Sequence, residues 1–197
     1  MVKRIFDLSF AFLGILVLLP VFLVIVLVMK AVMPGPVLFI QKRVGQDGVL
    51  FNVFKFRTMR MASNKSSGSF DAGDRSRITP FGKLLRKSKV DELPQLFNVL
   101  WGDMSLVGPR PEVLKWTEVY PEKWKIVLTV KPGITDPASI VYRNEEEILF
   151  NSLDPEITYK DQILPKKLNL YIDYVNNRSF SVDIKIIINT IKVILTT

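Results

Sequence analysis

Residues 8 to 29, LSFAFLGILVLLPVFLVIVLVM, run for twenty-two positions without a charge, bounded by Asp7 and Lys30. As a helix at ~1.5 Å per residue the run is roughly 33 Å long, enough to cross a bilayer core of about 30 Å. It is too long for a signal-peptide core of about 7–15 residues, and the following MKAVMPGP makes a poor cleavage site. A buried helix of a soluble protein is the other competitor, and the length speaks against it.

The flanking charges constrain the topology. Lys3 and Arg4 precede the run; Lys30, Lys42 and Arg43 follow it, with Lys55, Arg57 and Arg60 further on. Basic flanks favour the cytoplasmic side, and here both ends carry them, which one straight span cannot satisfy. Pro20 lacks an N–H and clashes with the preceding turn, so a bend is expected there. The charge pattern therefore favours a re-entrant helix-break-helix over an ordinary Pro-kinked span. Ser9 or a neighbouring helix would satisfy backbone groups freed at the break. Residues 1–33 form the expected membrane anchor and 34–197 a cytoplasmic domain.

Composition narrows the chemistry. With 27 Lys+Arg against 19 Asp+Glu the net charge is +8, which favours anionic partners such as nucleic acid, lipid headgroups or phosphorylated small molecules. There is no Cys, which excludes disulfides and thiolate chemistry. There is no His, which removes Ser-His and Cys-His nucleophile pairs, His-ligated zinc and the usual general base near neutral pH. Catalysis in such a chain must use carboxylates, Lys, Arg, Tyr or an oxygen-ligated metal.

After the rigid exit MPGP, two strand-like runs, 37–43 and 49–59, are joined by GQDG, as in a hairpin. Alternation in the second run puts Lys55 and Arg57 on one face and Phe54 and Phe56 on the other. Such a pair of cations is either a solvated strand face or the lining of an anion site. Residues 62–77, rich in Ser, Gly and Asp, are expected to form a mobile loop. No Gly-rich phosphate loop is present. The remainder has mainly helical patterning. Its last segment sets Ile184, Ile187, Ile188 and Ile191 on one face, as in a core helix or one lying in the membrane interface.

The densest chemistry lies in RKSKVDELPQLFNVLWGDMSLVGPRP (86–111). Pro94 belongs in a first turn, so a helix is expected to start close to Asp91 and to stop at Gly102. Arg110 stands between two prolines on a stiff backbone, where its guanidinium is a preorganised fork for phosphate or carboxylate. A carboxylate at a helix start beside cations stays ionised and is available as a nucleophile. A second carboxylate next to it can help hold Mg²⁺, which typically takes one or two protein carboxylates plus phosphate and water. Arg86, Arg110 and Lys55 would balance the remaining phosphate charge, a set suited to attack by Asp91 on a diphosphate. Taken locally, adjacent Asp and Glu at a helix start are most often a cap.

FKFRTM, the 86–111 block and KPGIT, behind an N-terminal hydrophobic segment, resemble the bacterial sugar transferases, the monotopic phosphoglycosyl transferases. The resemblance covers essentially the whole chain, corresponds to the family's minimal catalytic unit, and is most specific in DELPQLFNVLWGDMSLVGPRP. It implies an α-rich α/β (α+β) fold: a re-entrant membrane helix, a small β-hairpin, and several helices, some in the membrane interface. The place would be the cytoplasmic face of the bacterial inner membrane, among phospholipids. The implied reaction moves a sugar-1-phosphate from a UDP-sugar to undecaprenyl phosphate and releases UMP, the first membrane step in O-antigen, capsule, exopolysaccharide or glycoprotein-glycan assembly. Asp91 would be the nucleophile of a covalent phospho-sugar intermediate, and Glu92, with Asp91, would hold Mg²⁺. Lys55, Arg57, Arg86 and Arg110 would bind substrate.

Two departures stand out. After KPGIT many members continue Gly-Trp, where this chain has Asp136-Pro137-Ala138-Ser139. Many also carry an Asp three residues before the tyrosine matching Tyr174, a place held here by Tyr171, with Asp173 nearby. The alternatives are a polyprenyl glycosyltransferase that releases UDP, and a non-catalytic membrane-anchored module binding lipid or nucleic acid. The basic residues surround a carboxylate pair, which repels nucleic-acid phosphates. The sugar, the glycan pathway and homodimer formation are left open.

Overall fold

The apolar run lies within one long helix, α1 (Val2–Val32), in the computed structural model of the chain, which describes residues 2–61 and 76–196. Asp7, Ala11, Phe22, Ile25 and Met29 form its buried stripe, while Val17 and Leu27 are 72% and 70% exposed. A helix this long, apolar and exposed associates the chain with a membrane. The helix runs unbroken through Pro20, so the break expected there is not an interruption of the helix. Proline removes one hydrogen bond, and the bonds on either side carry the helix past it.

Both ends of α1 are fastened to the rest of the chain. Near the start, Lys3 donates to Asp183 (2.6 Å) and to the Val107 carbonyl (3.0 Å), and Arg4 donates to the Val99 carbonyl (2.8 Å). The buried Asp7 accepts from Ser105 Oγ (2.8 Å) and the Leu106 N–H (3.1 Å). At the other end Phe22, Ile25, Met29 and Met33 pack with Phe56 and Leu85.

Two antiparallel strands follow, β1 (Leu38–Val44) and β2 (Leu50–Phe56), with Leu38 opposite Phe56 and Val44 opposite Leu50. They lie within a residue or so of the first expected strand and inside the second. Of the stretch 62–77 expected to be a mobile loop, residues 62–75 lie outside the described residues.

Helix α2 (Pro80–Lys87) is capped by Thr79, whose hydroxyl accepts from the Gly82 N–H (2.9 Å). Then come α3 (Gln95–Trp101), β3 (Ser105–Val107), α4 (Leu114–Thr117), α5 (Pro121–Val127) and β4 (Gly133–Thr135). Helices α6 (Pro137–Val141), α7 (Glu145–Phe150), α8 (Pro155–Thr158) and α9 (Leu164–Asn177) follow. A π turn (Tyr159–Ile163) joins α8 to α9, and the last helix is α10 (Phe180–Leu195). The α-rich mixed fold expected from sequence is thus present. The largest core cluster gathers Trp116, Trp124, Tyr159, Leu164, Leu168 and Tyr171 around α5 and α9. On α10, Ile186 is buried while Ile188 and Ile191 remain exposed.

Strands β3 and β4 pair in parallel, Ser105 opposite Gly133 and Val107 opposite Thr135. The segments that follow them, GPRP and DPAS, therefore leave from the same end of the ladder.

Candidate active site

Asp91 and Glu92 sit on a single 3₁₀ turn, Val90–Glu92, which precedes α3 rather than opening it. Lys89, at the head of the turn, is in the left-handed region (φ 56), a costly conformation for a residue with a side chain. Gly102 ends α3 in the left-handed conformation (φ 97), as its position in the sequence predicts. Helix α3 is bolted to the hairpin by the fully buried Asn98, which accepts from the Phe54 N–H (3.2 Å) and donates to the Asn52 carbonyl (2.7 Å). This bolt brings Lys55 of β2 against the turn.

Lys55 donates to Glu92 Oε1 at 2.7 Å. Arg110 forms a two-pronged pair with the same carboxylate: Nη1 reaches Oε2 at 3.3 Å and Nη2 meets Oε1. Burial opposes ionisation of Glu92, but Arg110 and Lys55 outweigh it and hold the carboxyl well below its usual range. Asp91 is in the opposite state. Burial and the neighbouring Glu92 push its carboxyl up to about 6, against the pull of Lys55, Lys89 and Arg86. Its Oδ1 is buried without a hydrogen-bond partner. A buried acceptor without a donor is costly, so this oxygen is held ready for a group from outside.

Four of the expected residues, Asp91, Glu92, Lys55 and Arg110, thus form one cluster. Beside it lies a shallow cleft lined by Arg43, Val53, Lys55, Gln95, Arg110 and Pro111. Arg86 acts on Asp91 from the α2 side, with Nε on Thr58 Oγ1 (2.8 Å) and Nη1 on Glu146 (3.0 Å). Arg57 does not join. Its Nη2 donates to the carbonyls of Met33 (2.6 Å) and Pro34 (3.0 Å), closing the end of α1. Arg57→Met is therefore expected to cost about 2–3 kcal/mol of stability by leaving buried carbonyls unpaired. In a thermal melt this corresponds to a drop of about 5–10 °C.

An oxygen-ligated cation fits this donor set at Asp91, through the unpartnered Oδ1. Glu92 is already engaged at both oxygens by Lys55 and Arg110. No group of three or more Asp, Glu, His or Cys side chains suited to a metal occurs among the described residues.

A profile described as bacterial sugar transferase matches residues 1–197. The chain belongs to the bacterial sugar transferase family. Among its relatives is the galactosyl transferase CpsE of Streptococcus agalactiae serotype III (strain NEM316), 39% identical over 98% of this chain and 42% of the relative. The sugar transferase EpsL of Bacillus subtilis (strain 168) is 38% identical over 98% of this chain and 87% of its own length. The UDP-glucose:undecaprenyl-phosphate glucose-1-phosphate transferase of Escherichia coli (strain K12) is 36% identical over 97% of this chain. The chain spans 39% of that protein, so many relatives are more than twice its length.

Within this family member, the two departures from the family pattern have different surroundings. Asp173 is exposed on α9, away from the buried Tyr171. Asp136 is fully buried at the start of α6, its Oδ1 accepting from the Ser139 N–H (2.8 Å). Sequence reading also missed Asn98, Glu112, Tyr159 and Lys167. Asn98 left one trace, a poor helix former in mid-helix. Glu112, Tyr159 and Lys167 left none, standing among other polar and charged residues.

Proposed function

We propose that the chain transfers a sugar-1-phosphate from a UDP-sugar to a polyprenyl phosphate, undecaprenyl phosphate being the acceptor, and releases UMP. One observation carries this reading: a buried Asp91 with an unpartnered oxygen stands beside a Glu92 whose charge is already balanced by Lys55 and Arg110. Asp91 is then free for attack, while the two cations face an incoming diphosphate. The names of the relatives support the same substrate class.

In the first half-reaction the Asp91 carboxylate oxygen not taken by a cation bonds to the β-phosphorus. The bond from that phosphorus to the bridging oxygen breaks, and UMP leaves with the electron pair. In the second, an oxygen of the acceptor phosphate bonds to the same phosphorus and the Asp91–phosphorus bond breaks, regenerating the carboxylate. The attacking group is already an anion, so no His is needed to remove a proton. Lys55 and Arg110, fixed by Glu92, hold the diphosphate charge, and Arg86 approaches from the Asp91 side. Mg²⁺, held by Asp91 with Glu92 beside it, would supply further charge neutralisation on the diphosphate.

The pH dependence follows from Asp91. Only the carboxylate attacks, so the first half-reaction should lose rate at acid pH, with a limb at about 6 for the metal-free group and lower where Mg²⁺ is bound at Asp91. Stability runs the other way for this group. The folded state binds the Asp91 proton more tightly than the unfolded chain does, so its contribution falls as pH rises from the ordinary carboxylate range to about 6. Glu92, held low, loses its stabilising contribution as pH falls. A pH–rate profile of UMP release without this acid limb would refute the assignment of Asp91.

Contacts at both ends of α1 with the rest of the chain support placing both ends on the cytoplasmic face of the inner membrane. This re-entrant path needs the continuous helix to bend at Pro20 rather than break, with exposed Ile188 and Ile191 of α10 and Trp101 of α3 at the lipid interface. The chain has no cysteine, so single cysteines at positions 3 and 32 can be labelled cleanly. Both should react from the same side of the membrane, and labelling from opposite sides would exclude the re-entrant form. Incubating purified protein with Mg²⁺, a UDP-sugar and undecaprenyl phosphate should yield UMP; release of UDP would make it an ordinary glycosyltransferase.

A further inference from the structure

Behind Arg110 lies a buried ionic network that the catalytic reading does not use. Glu112, two residues after Arg110, is 6% exposed and accepts from Arg43 Nη1 (3.1 Å) and from the Tyr159 hydroxyl. Arg43 Nη1 also reaches the Pro111 carbonyl (3.3 Å), and the Val44 N–H donates to the Glu112 carbonyl (2.8 Å). Lys167 of α9, 3% exposed, lies 4.0 Å from Glu112 and 2.9 Å from Glu145, and donates to the Tyr159 hydroxyl at 3.4 Å. Arg43 and Lys167 thus face Glu112 and Glu145, two charges of each sign.

Glu145 opens α7, and its neighbour Glu146 binds Arg86 at 3.0 Å. The path from Arg110 to Arg86 is therefore continuous: the Pro111–Glu112 backbone, Lys167, the first turn of α7, and Arg86. Buried ion pairs cost desolvation and are weak stabilisers compared with apolar packing. A balanced network, buried at Glu112 and Lys167 and reaching Arg86 through the exposed Glu146, ends on a substrate cation at each side and is suited to fixing geometry.

We infer that Glu112 and Lys167 are positioning residues that hold Arg110 and Arg86 at a set separation and so fix the grip on the donor diphosphate. This deepens the transferase reading and rests on it. Arg110 pairs with Glu92, whereas Arg86 acts on Asp91, so the two cations approach the carboxylate pair from different sides. Pro109 and Pro111 stiffen the backbone around Arg110, and the clamp on the Pro111 carbonyl and on Glu112 orients that rigid unit.

The test uses the full chain in detergent or nanodiscs, with two readouts: UDP affinity by calorimetry, and initial rates of UMP release against UDP-sugar concentration. Glu112→Gln and Lys167→Met should each raise the UDP Kd and the UDP-sugar KM about tenfold, with kcat within about threefold. The charge-balanced double variant should recover part of that loss. Tyr159→Phe, which keeps every charge and the ring, should raise KM about threefold and serves if the charge variants do not fold. A merely structural network would lower the melting temperature and the active fraction but leave Kd and KM unchanged. Folded variants with KM and Kd within about twofold of the parent would overturn the inference. A parent protein that binds UDP but releases no UMP would instead count against the transferase reading, leaving the Kd comparison intact.

Discussion

Asp91→Asn is expected to reduce UMP release by roughly 10⁴-fold or more, the scale seen when a covalent nucleophile is removed. The amide keeps the size and the place on the Val90–Glu92 turn but offers no attacking anion. The loss should not reflect unfolding. In the parent a partly desolvated carboxylate, pushed up to about 6, is held with one oxygen unpartnered. A neutral amide there removes the cost of burying a charge, so the variant should melt no lower than the parent at neutral pH. A variant that keeps near-normal turnover would mean that Asp91 is a cap and nothing more.

Gly133→Ala is expected to have a large structural effect. A Cβ at this position would lie 2.1 Å from the Gly108 nitrogen and 2.5 Å from the Gly108 oxygen, both backbone atoms that cannot swing aside. The β3–β4 ladder would have to open, with a cost of at least about 4 kcal/mol and loss of most folded protein in a thermal melt. Gly48→Ala makes the contrast. Gly48 has φ +79 but nothing within 4 Å of an added Cβ, so backbone strain alone should cost about 1 kcal/mol. Near-equal melting temperatures for the two variants would show that the β3–β4 approach is not rigid. Gly133 lies in KPGIT, and the packing explains why the motif needs a glycine: it lets that segment lie against the segment carrying Arg110.

The hairpin, the stop at Gly102 and the clustering of Asp91, Glu92, Lys55 and Arg110 were all legible in the sequence, because each depends on local spacing or on a specific motif. Arg57 was not. Strand alternation assigned it to the face of Lys55, but β2 ends at Phe56, and beyond a strand's end the two-residue period no longer governs direction. The helix start was misplaced by a few residues, because the left-handed Lys89 inserts a 3₁₀ turn before α3. Pro20 did not interrupt α1, since a helix loses only one bond at a proline and packing along the chain keeps the rest. The Glu112–Lys167 network joins residues far apart in the chain, and such pairings leave no local pattern in a single sequence.

The covalent intermediate is the central claim, and the mass of the intact protein tests it most directly. Incubated with Mg²⁺ and a UDP-sugar but no polyprenyl phosphate, the protein should gain the mass of one phospho-sugar and release an equal amount of UMP. Adding undecaprenyl phosphate should remove the adduct, and Asp91→Asn should never form it. Turnover in the complete mixture with no mass gain in the first step, or with UDP as the product, would contradict the account.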